Sequence, residues 1–254
     1  GDVYKRQDSL TSTGPTTASA LYTPTTGFEG SDAIVVQVAD TAGLTDTATI
    51  SITVLPSDPP PLNEAQFNPA TTAPVVDGKI DEIWGTTPWN QIANPVLGDV
   101  QPPANDLSAV FRGLYDDANL YILIEVTDDI LINDSDEMWW RDDVIELYVD
   151  GNYSQGESYD GVDDMQLIIG WNDDNVVRKG LHSIDVPSGI QNALIDVAGG
   201  YRLEMAIPLE QICIIAGNGI AFGLDVLVAD DDDGGDLREH MLAWHAQAGD
   251  DVYI

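Results

Sequence analysis

Apolar and polar residues alternate along several short segments in the second half of the chain. In the segment VIELYVD, Ile145, Leu147 and Val149 fall on one side, and the intervening polar or amphipathic residues fall on the other. Because successive side chains of an extended strand point to opposite faces, this period of two predicts a strand with one buried face. The segments LYILIEV and YRLEMAIP show the same alternation. The outer faces of these strands are expected to be polar and open to a ligand.

Strand-like segments follow one another at short intervals from residue 107 onward, separated by turn residues such as DDAN, DGN and WNDDN. They are 107–115, 119–127, 143–150, 165–171, 201–208, 220–229 and 240–244. No long segment has the period of 3.6 residues that marks an amphipathic helix. The pattern predicts an all-β fold, an antiparallel β-sandwich of jelly-roll-like form.

The start of the chain carries a separate β pattern, with two strands predicted at 33–39 and 47–54 around the turn DTAGLTD. The run from Tyr22 to Val54 resembles the second half of the cadherin-like or immunoglobulin-like repeats of large bacterial surface proteins. The predicted organisation is an adaptor or cloning remnant at 1–7, a partial repeat at 8–55, a proline-rich linker at 56–74 and one larger domain at 75–254. The chain is therefore expected to be a fragment of a longer protein.

The chain is strongly acidic, since 9 lysines and arginines against 44 aspartates and glutamates give a net charge of −35. Nucleic acid and anionic membranes would be repelled, so neither is expected as a partner. The sequence has no run of about 18 apolar residues that could insert into a membrane. The single cysteine, Cys213, lies in the apolar run EQICIIAG and is predicted to be a buried thiol.

Five segments of 76–244 occur in an order that is known from one family. They are VDGKIDEIWGTTPW, AVFRGLYDDANLYILIEVTDD, WWRDDVIELYVDG, GGYRLEMAIPLEQI and GIAFGLDVLVADDDDGGDLREHMLAW. Together they resemble carbohydrate-binding module family 9, within the wider DOMON-like group of β-sandwiches. The resemblance implies non-catalytic binding of a polysaccharide such as xylan, cellulose or another β-glycan. It also implies a module tethered to a larger secreted or cell-surface protein, often with bound calcium.

The same resemblance places the ligand site next to the segment DEMWWRDDVIELYVD. The family has a tryptophan just before an x-x-D-x-V/I-E strand, where it forms one wall of an aromatic sandwich around a sugar, and Trp140 has that spacing. Asp143 and Glu146 match the acidic positions, and Glu146 is expected to form a hydrogen bond with a sugar hydroxyl. Trp139 is either the packing partner of Trp140 or its alternative, and either ring can instead belong to the core.

The second wall of the aromatic sandwich has two candidates. Trp244 matches a family tryptophan near the last strands, and Tyr253 is the aromatic residue nearest to the family position beyond it. The chain stops at Ile254, before the short final strand of the family, so the C-terminal strand is expected to be truncated.

Clustered carboxylates make structural calcium the expected cofactor, because calcium takes six to eight oxygen ligands. Asp128 and Asp129 follow the strand predicted at 119–127, at a position where the family is regularly acidic. Asp116 and Asp230 lie in the acidic groups YDD and ADDDDGGD. No EF-hand pattern is present.

Other functions stay open as alternatives. Some DOMON-like sandwiches hold haem through methionine and histidine, for which this chain offers Met138, Met165, Met205, Met241, His182, His240 and His245. Haem is disfavoured because Met205 alternates into the core and C-x-x-C-H is absent. A hydrolase is disfavoured because no nucleophile-elbow, zinc or phosphate-loop motif occurs. A structural stalk module would bury both Trp139 and Trp140.

Overall fold

The computed structural model describes residues 5–14, 17–24, 30–39, 42–54, 64–97, 101–156, 158–180, 183–235 and 237–247. The chain divides into two compact units, residues 1–62 and residues 63–254. No helix of the described residues is both long and apolar enough to cross a membrane. The two units are described separately below.

Unit 1 contains two antiparallel strand pairs. Its strands are β1 (Lys5–Gly14), β2 (Thr17–Pro24), β3 (Gly30–Ala39) and β4 (Thr45–Val54). β1 pairs with β2, and β3 pairs with β4 in the register Ile34 to Ile50. The two strands predicted from alternation are therefore confirmed as β3 and β4. Residues 5–7, which are part of the expected adaptor or cloning remnant, lie in β1 and pair opposite residues 22–24.

Unit 2 is a sandwich of two sheets. Its strands are β5 (Phe67–Pro69), β6 (Asn90–Ile92), β7 (Asn94–Pro95), β8 (Leu107–Tyr115), β9 (Asn119–Asp128), β10 (Val144–Asp150), β11 (Asp164–Gly170), β12 (Val177–Lys179), β13 (Gln191–Val197), β14 (Gly200–Pro208), β15 (Gly223–Asp230) and β16 (His240–Ala243). The front sheet has the order β12-β11-β10-β15-β16-β7. The back sheet has the order β13-β14-β9-β8-β5, with β6 also beside β8. The described residues of this unit also form three short 3-10 helices, at Glu82–Thr86, Asp136–Arg141 and Leu209–Ile212.

The core lies between the two sheets and is formed by the alternating apolar residues. Ile145, Leu147 and Val149 of β10 are buried against back-sheet residues such as Ile122 and Leu203. All seven segments predicted as strands in this unit are strands, within three residues at each end. The all-β sandwich predicted from the period of two is confirmed.

The expectation that both outer faces are polar is wrong. On the front sheet, Val144, Ile168, Leu227 and Met241 belong to an apolar cluster on the outer face, on which Trp139 packs. On the back sheet, the outer face is covered by the N-terminal part of the unit, around the fully buried Trp84. Alternation distinguishes the two faces of a strand, but it does not show which other segment covers the second face.

Part of the predicted linker is a strand. Phe67–Pro69 pairs in parallel with Gly113–Tyr115 at the edge of β8, and the Phe67 ring packs edge-on against Phe222 at 5.3 Å between centroids. A Cβ atom at Gly113 would lie 2.0 Å from the Phe67 ring, so the glycine makes room for the ring. Residues 64–74 of the predicted linker are therefore described as part of unit 2, whereas residues 55–63 lie outside the described residues.

The prediction of a buried Cys213 is also wrong, because the side chain is exposed. Cys213 ends the 3-10 helix Leu209–Ile212 with a left-handed backbone, φ 55°. The neighbouring Ile212 and Ile214 point inward instead. The apolar run is therefore buried only in part, because Ile215 is 77% exposed as well.

Candidate functional site

The two adjacent tryptophans lie on the 3-10 turn Asp136–Arg141, here called the tryptophan turn, which leads into β10. Trp140 is 39% exposed. Trp139 is half-buried on the apolar outer cluster of the front sheet. The two rings meet edge to face, with centroids 5.3 Å apart and an interplanar angle of 89°. Trp139 therefore packs on the sheet and supports the ring of Trp140, which is partly in solvent.

A cation also contacts the ring of Trp139. The guanidinium of Arg178, on β12, lies 4.9 Å from the centre of the Trp139 ring, within the range of a cation–π contact. Arg178 also forms an ion pair with Asp173, from the loop that precedes β12. β12 is a short strand at the edge of the front sheet, where Arg178 pairs opposite Ile168 of β11. The arginine thus holds Trp139 between the outer face of the sheet and its own charged group.

Glu146 is the centre of a buried polar network on the same face of β10. Its Oε1 accepts a hydrogen bond from Nη1 of Arg238 at 2.9 Å, and its Oε2 accepts from Nε2 of Gln166 and from the Tyr148 hydroxyl, each at 2.6 Å. Nη1 of Arg238 also donates to the backbone carbonyl of Trp140 at 2.9 Å. Burial, followed by the charge of Glu146, raises the pKa of Tyr148. The network ties the tryptophan turn to the centre of the front sheet.

Glu146 is on the outer face as expected, but the expectation that it contacts a ligand directly is corrected, because the side chain is buried. Glu146 is 3% exposed, and both of its oxygens are engaged by protein donors. A buried carboxylate with this many charge-assisted partners orients them rigidly. Glu146 is a positioning residue for Arg238, Gln166 and Tyr148.

The two candidates for a second aromatic wall have different outcomes. Trp244 is half-buried and packs edge-on against Phe111 at the margin of the core, with centroids 5.1 Å apart, so its role as a ligand contact stays a prediction. Tyr253 lies outside the described residues.

Three buried carboxylates converge at one end of the sandwich, and we call them the inner acidic cluster: Asp128, Asp143 and Asp230. Asp128 ends β9, Asp143 precedes β10 and Asp230 ends β15, so both sheets contribute. One oxygen of each lies within 4.8 Å of the others, and the three residues are 3%, 0% and 0% exposed. Burial and the neighbouring acids raise the pKa of Asp128 to about 7 and those of Asp143 and Asp230 to about 8.

Hydrogen bonds leave part of this cluster unsatisfied. Asp143 accepts from the backbone N–H groups of Asp231 and Ile132. In contrast, both oxygens of Asp230 and Oδ2 of Asp128 are buried with no hydrogen-bond partner among the described residues. Buried polar atoms are normally paired, because an unpaired one loses its hydration without compensation. Carboxylate oxygens in this arrangement match the hard oxygen ligands of calcium.

A second group of acids, here called the turn acidic cluster, flanks the tryptophan turn: Asp134, Asp142 and Asp231. Oδ1 of Asp142 accepts from the backbone N–H groups of Asp134 and Ser135, which closes the turn at its base. Oδ2 of Asp142 and Oδ2 of Asp231 are buried and have no partner among the described residues. The two clusters are adjacent along the chain, through the residue pairs 142–143 and 230–231.

The remaining calcium candidates behave differently from one another. Asp129 is exposed and joins Asp106 and Asp232 at the rim of the inner acidic cluster. Asp116 is part of no acidic cluster in the described residues, because it caps a turn: its oxygens accept from Ala118, Asn119 and the Tyr121 hydroxyl. The prediction of Asp116 as a calcium ligand therefore has no geometric support.

The methionines and histidines considered for haem are dispersed. Met165 and Met205 are buried between the sheets, Met241 is part of the outer apolar cluster, and Met138 is exposed. His240 lies 3.5 Å from the carboxylate of Asp106, and His182 lies outside the described residues.

Several functional candidates were missed from the sequence. They are Arg178, Gln166, Arg238, Asp134, Asp142 and Asp231. The scarcity of basic residues could have indicated the arginines as candidates, because each arginine in so acidic a chain has many possible acidic partners. The identity of those partners required the three-dimensional structure.

Comparisons with known proteins agree with the folds described above for both units. A region of 176 residues, 69% of this chain, is 31% identical to "Exoglucanase XynX" of Acetivibrio thermocellus, and 153 residues are 30% identical to "Endo-1,4-beta-xylanase A" of Thermotoga neapolitana. These regions span only 15% and 14% of the length of those two relatives.

Two solved structures share the fold. Both are a family 9 carbohydrate-binding module of Caldicellulosiruptor kristjanssonii, one in complex with cellotriose and one in complex with glucose. Each has a TM-score of 0.60 and covers 72% of this chain, with 85% and 87% of the other chain covered and identities of 24% and 25%.

Family models match both units. Residues 3–53 match the model described as "Bacterial Ig domain". Residues 76–253, more than half of the chain, match the model described as "Carbohydrate family 9 binding domain-like". The chain therefore belongs to the carbohydrate family 9 binding domain-like family.

Proposed function

We propose that residues 76–253 bind a saccharide without cleaving it, and that the open face of Trp140 stacks on a sugar ring. The observation that carries the proposal is the exposure of Trp140 on a turn that buried hydrogen bonds hold in place. A purely structural stalk would have no use for an exposed indole that is oriented so firmly. The glucose and cellotriose complexes of the similar structures, and the xylanase names of the relatives, support a β-glycan of the cellulose or xylan type.

Stacking alone is too weak for useful affinity. A large aromatic ring buries ~150–250 Å² when fully covered. If half of it is covered at ~25 cal/mol per Å², one ring contributes about 2–3 kcal/mol. Micromolar binding needs about 8 kcal/mol. Polar contacts must therefore supply most of the rest.

The polar contacts are proposed to come first from Arg178. The Arg178 side chain is 27% exposed next to Trp139, and a guanidinium presents five N–H donors. Hydrogen bonds that involve a charged group contribute about 1.5–3 kcal/mol each. Because Asp173 and Trp139 hold Arg178 in place, little side-chain entropy is lost on binding.

The direct test is calorimetric titration of xylo- and cello-oligosaccharides into the parent protein and Trp140→Ala. We expect the variant to lose binding at least tenfold (about 1.4 kcal/mol), with little change in thermal midpoint. Met138→Ala is a matched control, because Met138 is on the same turn and is 38% exposed but carries no ring. Equal affinities of the parent and Trp140→Ala would contradict the assignment of Trp140.

Structural calcium at the two acidic clusters is a second part of the proposal. Calcium supplies the positive charge and the coordination that the buried, unpartnered oxygens of Asp128, Asp142, Asp230 and Asp231 lack. In the inner acidic cluster, the carboxylates of β9 and β15 would be held together across the two sheets. In the turn acidic cluster, Asp134 and Asp142 would be held together at the base of the tryptophan turn.

The calcium proposal is tested by titrating calcium into chelator-treated protein and by measuring the thermal midpoint. We expect binding heat and a higher midpoint with calcium, and a smaller change in both in Asp230→Asn, because Asp230 belongs to the inner acidic cluster and not to the turn acidic cluster. Asp116→Asn is the matched control, because Asp116 caps a turn away from both clusters. An unchanged midpoint and no binding heat in the parent would refute the proposal.

The binding unit is proposed to act as one module of a longer extracellular protein. The adjoining match to a bacterial Ig domain and the small share of each relative that is covered support this arrangement. Such a module would hold a tethered partner domain on its polysaccharide.

A further inference from the structure

A recess of about 240 Å³ opens on the outer face of the front sheet, beyond Glu146 on the side away from the tryptophan turn. Six of its lining residues are Tyr148, Asp150, Tyr159, Asp164, Gly223 and Asp225. It is also bordered by the core residues Val149 and Met165, whose side chains pack between the two sheets.

The sequence keeps this recess open through a glycine in β15. Gly223 pairs opposite Asp150 of β10, and a Cβ atom at Gly223 would lie 2.9 Å from the Cβ atom of Asp150. Tyr159, from the loop between β10 and β11, adds a second aromatic residue to the Tyr148 ring.

The Tyr159 hydroxyl has no hydrogen-bond partner among the described residues, although it is shielded from solvent. Burial raises its pKa, and the charges of Asp164 and Glu146 raise it further. Tyr159 therefore stays a neutral donor at any ordinary pH. A shielded hydroxyl donor next to a cavity fits a ligand that offers oxygen acceptors.

One side chain links the recess to the Glu146 network, which also holds the tryptophan turn. The Tyr148 hydroxyl donates to Glu146, and the rest of Tyr148 lines the recess. Glu146 and Tyr148 are alternate residues on one face of β10, about 7 Å apart along the strand. An extended ligand that passes over Glu146 therefore enters the recess.

We infer that this recess is a second saccharide subsite, which receives an uncharged unit of the same glycan chain whose first ring lies on Trp140. The inference rests on the proposed function. Tyr148 and Tyr159 supply apolar surface for a sugar face, and the Tyr159 hydroxyl donates to a ring or hydroxyl oxygen.

The acidic lining determines which units are accepted. Asp150 already accepts backbone N–H groups of Ser154 and Gln155, and Asp225 accepts those of His245 and Ala246. No lysine or arginine is among the described residues that line the recess. A uronic acid or sulfated unit would meet like charge at close range, so the subsite favours neutral units.

The test compares ligands of increasing length. Glucose, cellobiose, cellotriose and the matching xylo-oligosaccharides are titrated into the parent, Tyr159→Ala and Tyr159→Phe. We expect the parent to gain affinity with length. We expect Tyr159→Ala to lose about tenfold for the longer ligands while it keeps the affinity for the monosaccharide.

Two further variants separate this role from simple packing. Tyr159→Phe removes only the unpartnered hydroxyl, so it should leave the free protein at least as stable and still weaken the longer ligands. Tyr153→Phe is the matched control, because Tyr153 lies in the same loop, is 40% exposed and does not line the recess. Tyr153→Phe should change neither the stability of the free protein nor its affinity for the longer ligands.

The outcomes distinguish this inference from the proposed function. If the parent binds sugars through Trp140 but Tyr159→Ala and Tyr159→Phe keep full affinity for every length, the second subsite is wrong and the first stands. If the parent binds no saccharide, both are wrong.

A glucuronic acid-substituted oligosaccharide should bind more weakly than its neutral equivalent at low salt, and equal or tighter binding would refute the neutral preference.

Discussion

Arg238 joins the backbone of Trp140 to the carboxylate of Glu146 through a single guanidinium nitrogen, with 2.9 Å on each side. Arg238 and Glu146 are separated by 92 residues and are both buried. The position of the exposed indole thus depends on a buried ion pair in the middle of the front sheet.

Arg238→Met should cost about 3–5 kcal/mol of unfolding free energy, because it leaves the Glu146 charge buried without its cation. It should also weaken saccharide binding, since the Trp140 carbonyl loses its donor. Denaturant unfolding and calorimetry measure the two effects.

Arg202→Met is the matched control for that prediction. Arg202 pairs with Glu125 on the back sheet, where the side chains are 17% and 30% exposed, so its loss should cost less than the loss of the more deeply buried Arg238. The double variant Glu146→Gln/Arg238→Met should lose less than the sum of the two single variants, because no charge is left alone. Strict additivity would show that the pair is not coupled.

Without calcium, the protein should become less stable as the pH rises from about 4 to 8. The folded pKa values of Asp128, Asp143 and Asp230, about 7, 8 and 8, lie above the unfolded value of 3.8. In this window the folded state binds more protons than the unfolded state, so the free energy of unfolding falls as protons are removed.

Calcium should reverse much of this dependence, because it binds the deprotonated carboxylates and releases their protons. The difference in thermal midpoint between calcium and chelator should therefore grow with pH. Midpoints measured at several pH values with and without chelator provide the check, and a difference that shrinks with pH would contradict it.

Trp84→Phe should destabilise unit 2 without changing saccharide affinity. The Trp84 indole N–H donates to the fully buried Glu204 at 2.9 Å, and the other Glu204 oxygen accepts from Asp77 and Gly78. Removing the donor leaves a buried carboxylate oxygen unpaired, at a cost of about 1–3 kcal/mol. This network lies on the back sheet, so titration below the unfolding temperature should give the parent affinity. A lower affinity would mean that the two faces are coupled.

Cys213 should react in the folded protein. Its side chain is exposed, so a thiol reagent should modify one equivalent without denaturant, at a rate that added denaturant changes little. Modification that requires unfolding would contradict the exposed position.

Sequence patterns predicted the long strands well and the short ones poorly. β8 and β10 were located because seven or more residues display a clear period of two. β5, β7 and β12 have only two or three residues, too few for any period, and pair only because neighbouring strands are already in place. β13, at an edge, alternates only weakly in burial.

At the candidate site, the sequence indicated Trp140, and the structure shows its exposure. It did not indicate Arg178 or Arg238, because their partners lie on other strands. It also did not separate Asp116 from Asp230, since both occur in acidic runs. Only the return of β15 beside β10 brings Asp230 close to Asp143.

The parallel pairing of β5 with β8 has a practical consequence for anyone who expresses this module alone. A recombinant fragment started at residue 76, where the family match begins, would omit Phe67–Pro69 and bare the backbone amides and carbonyls of Gly113–Tyr115. It would also leave empty the space next to Gly113 that the Phe67 ring fills. An uncovered strand edge pairs with other copies of the protein and promotes aggregation. Cloning from residue 63, the first residue of unit 2, keeps that edge capped and should yield a monodisperse preparation.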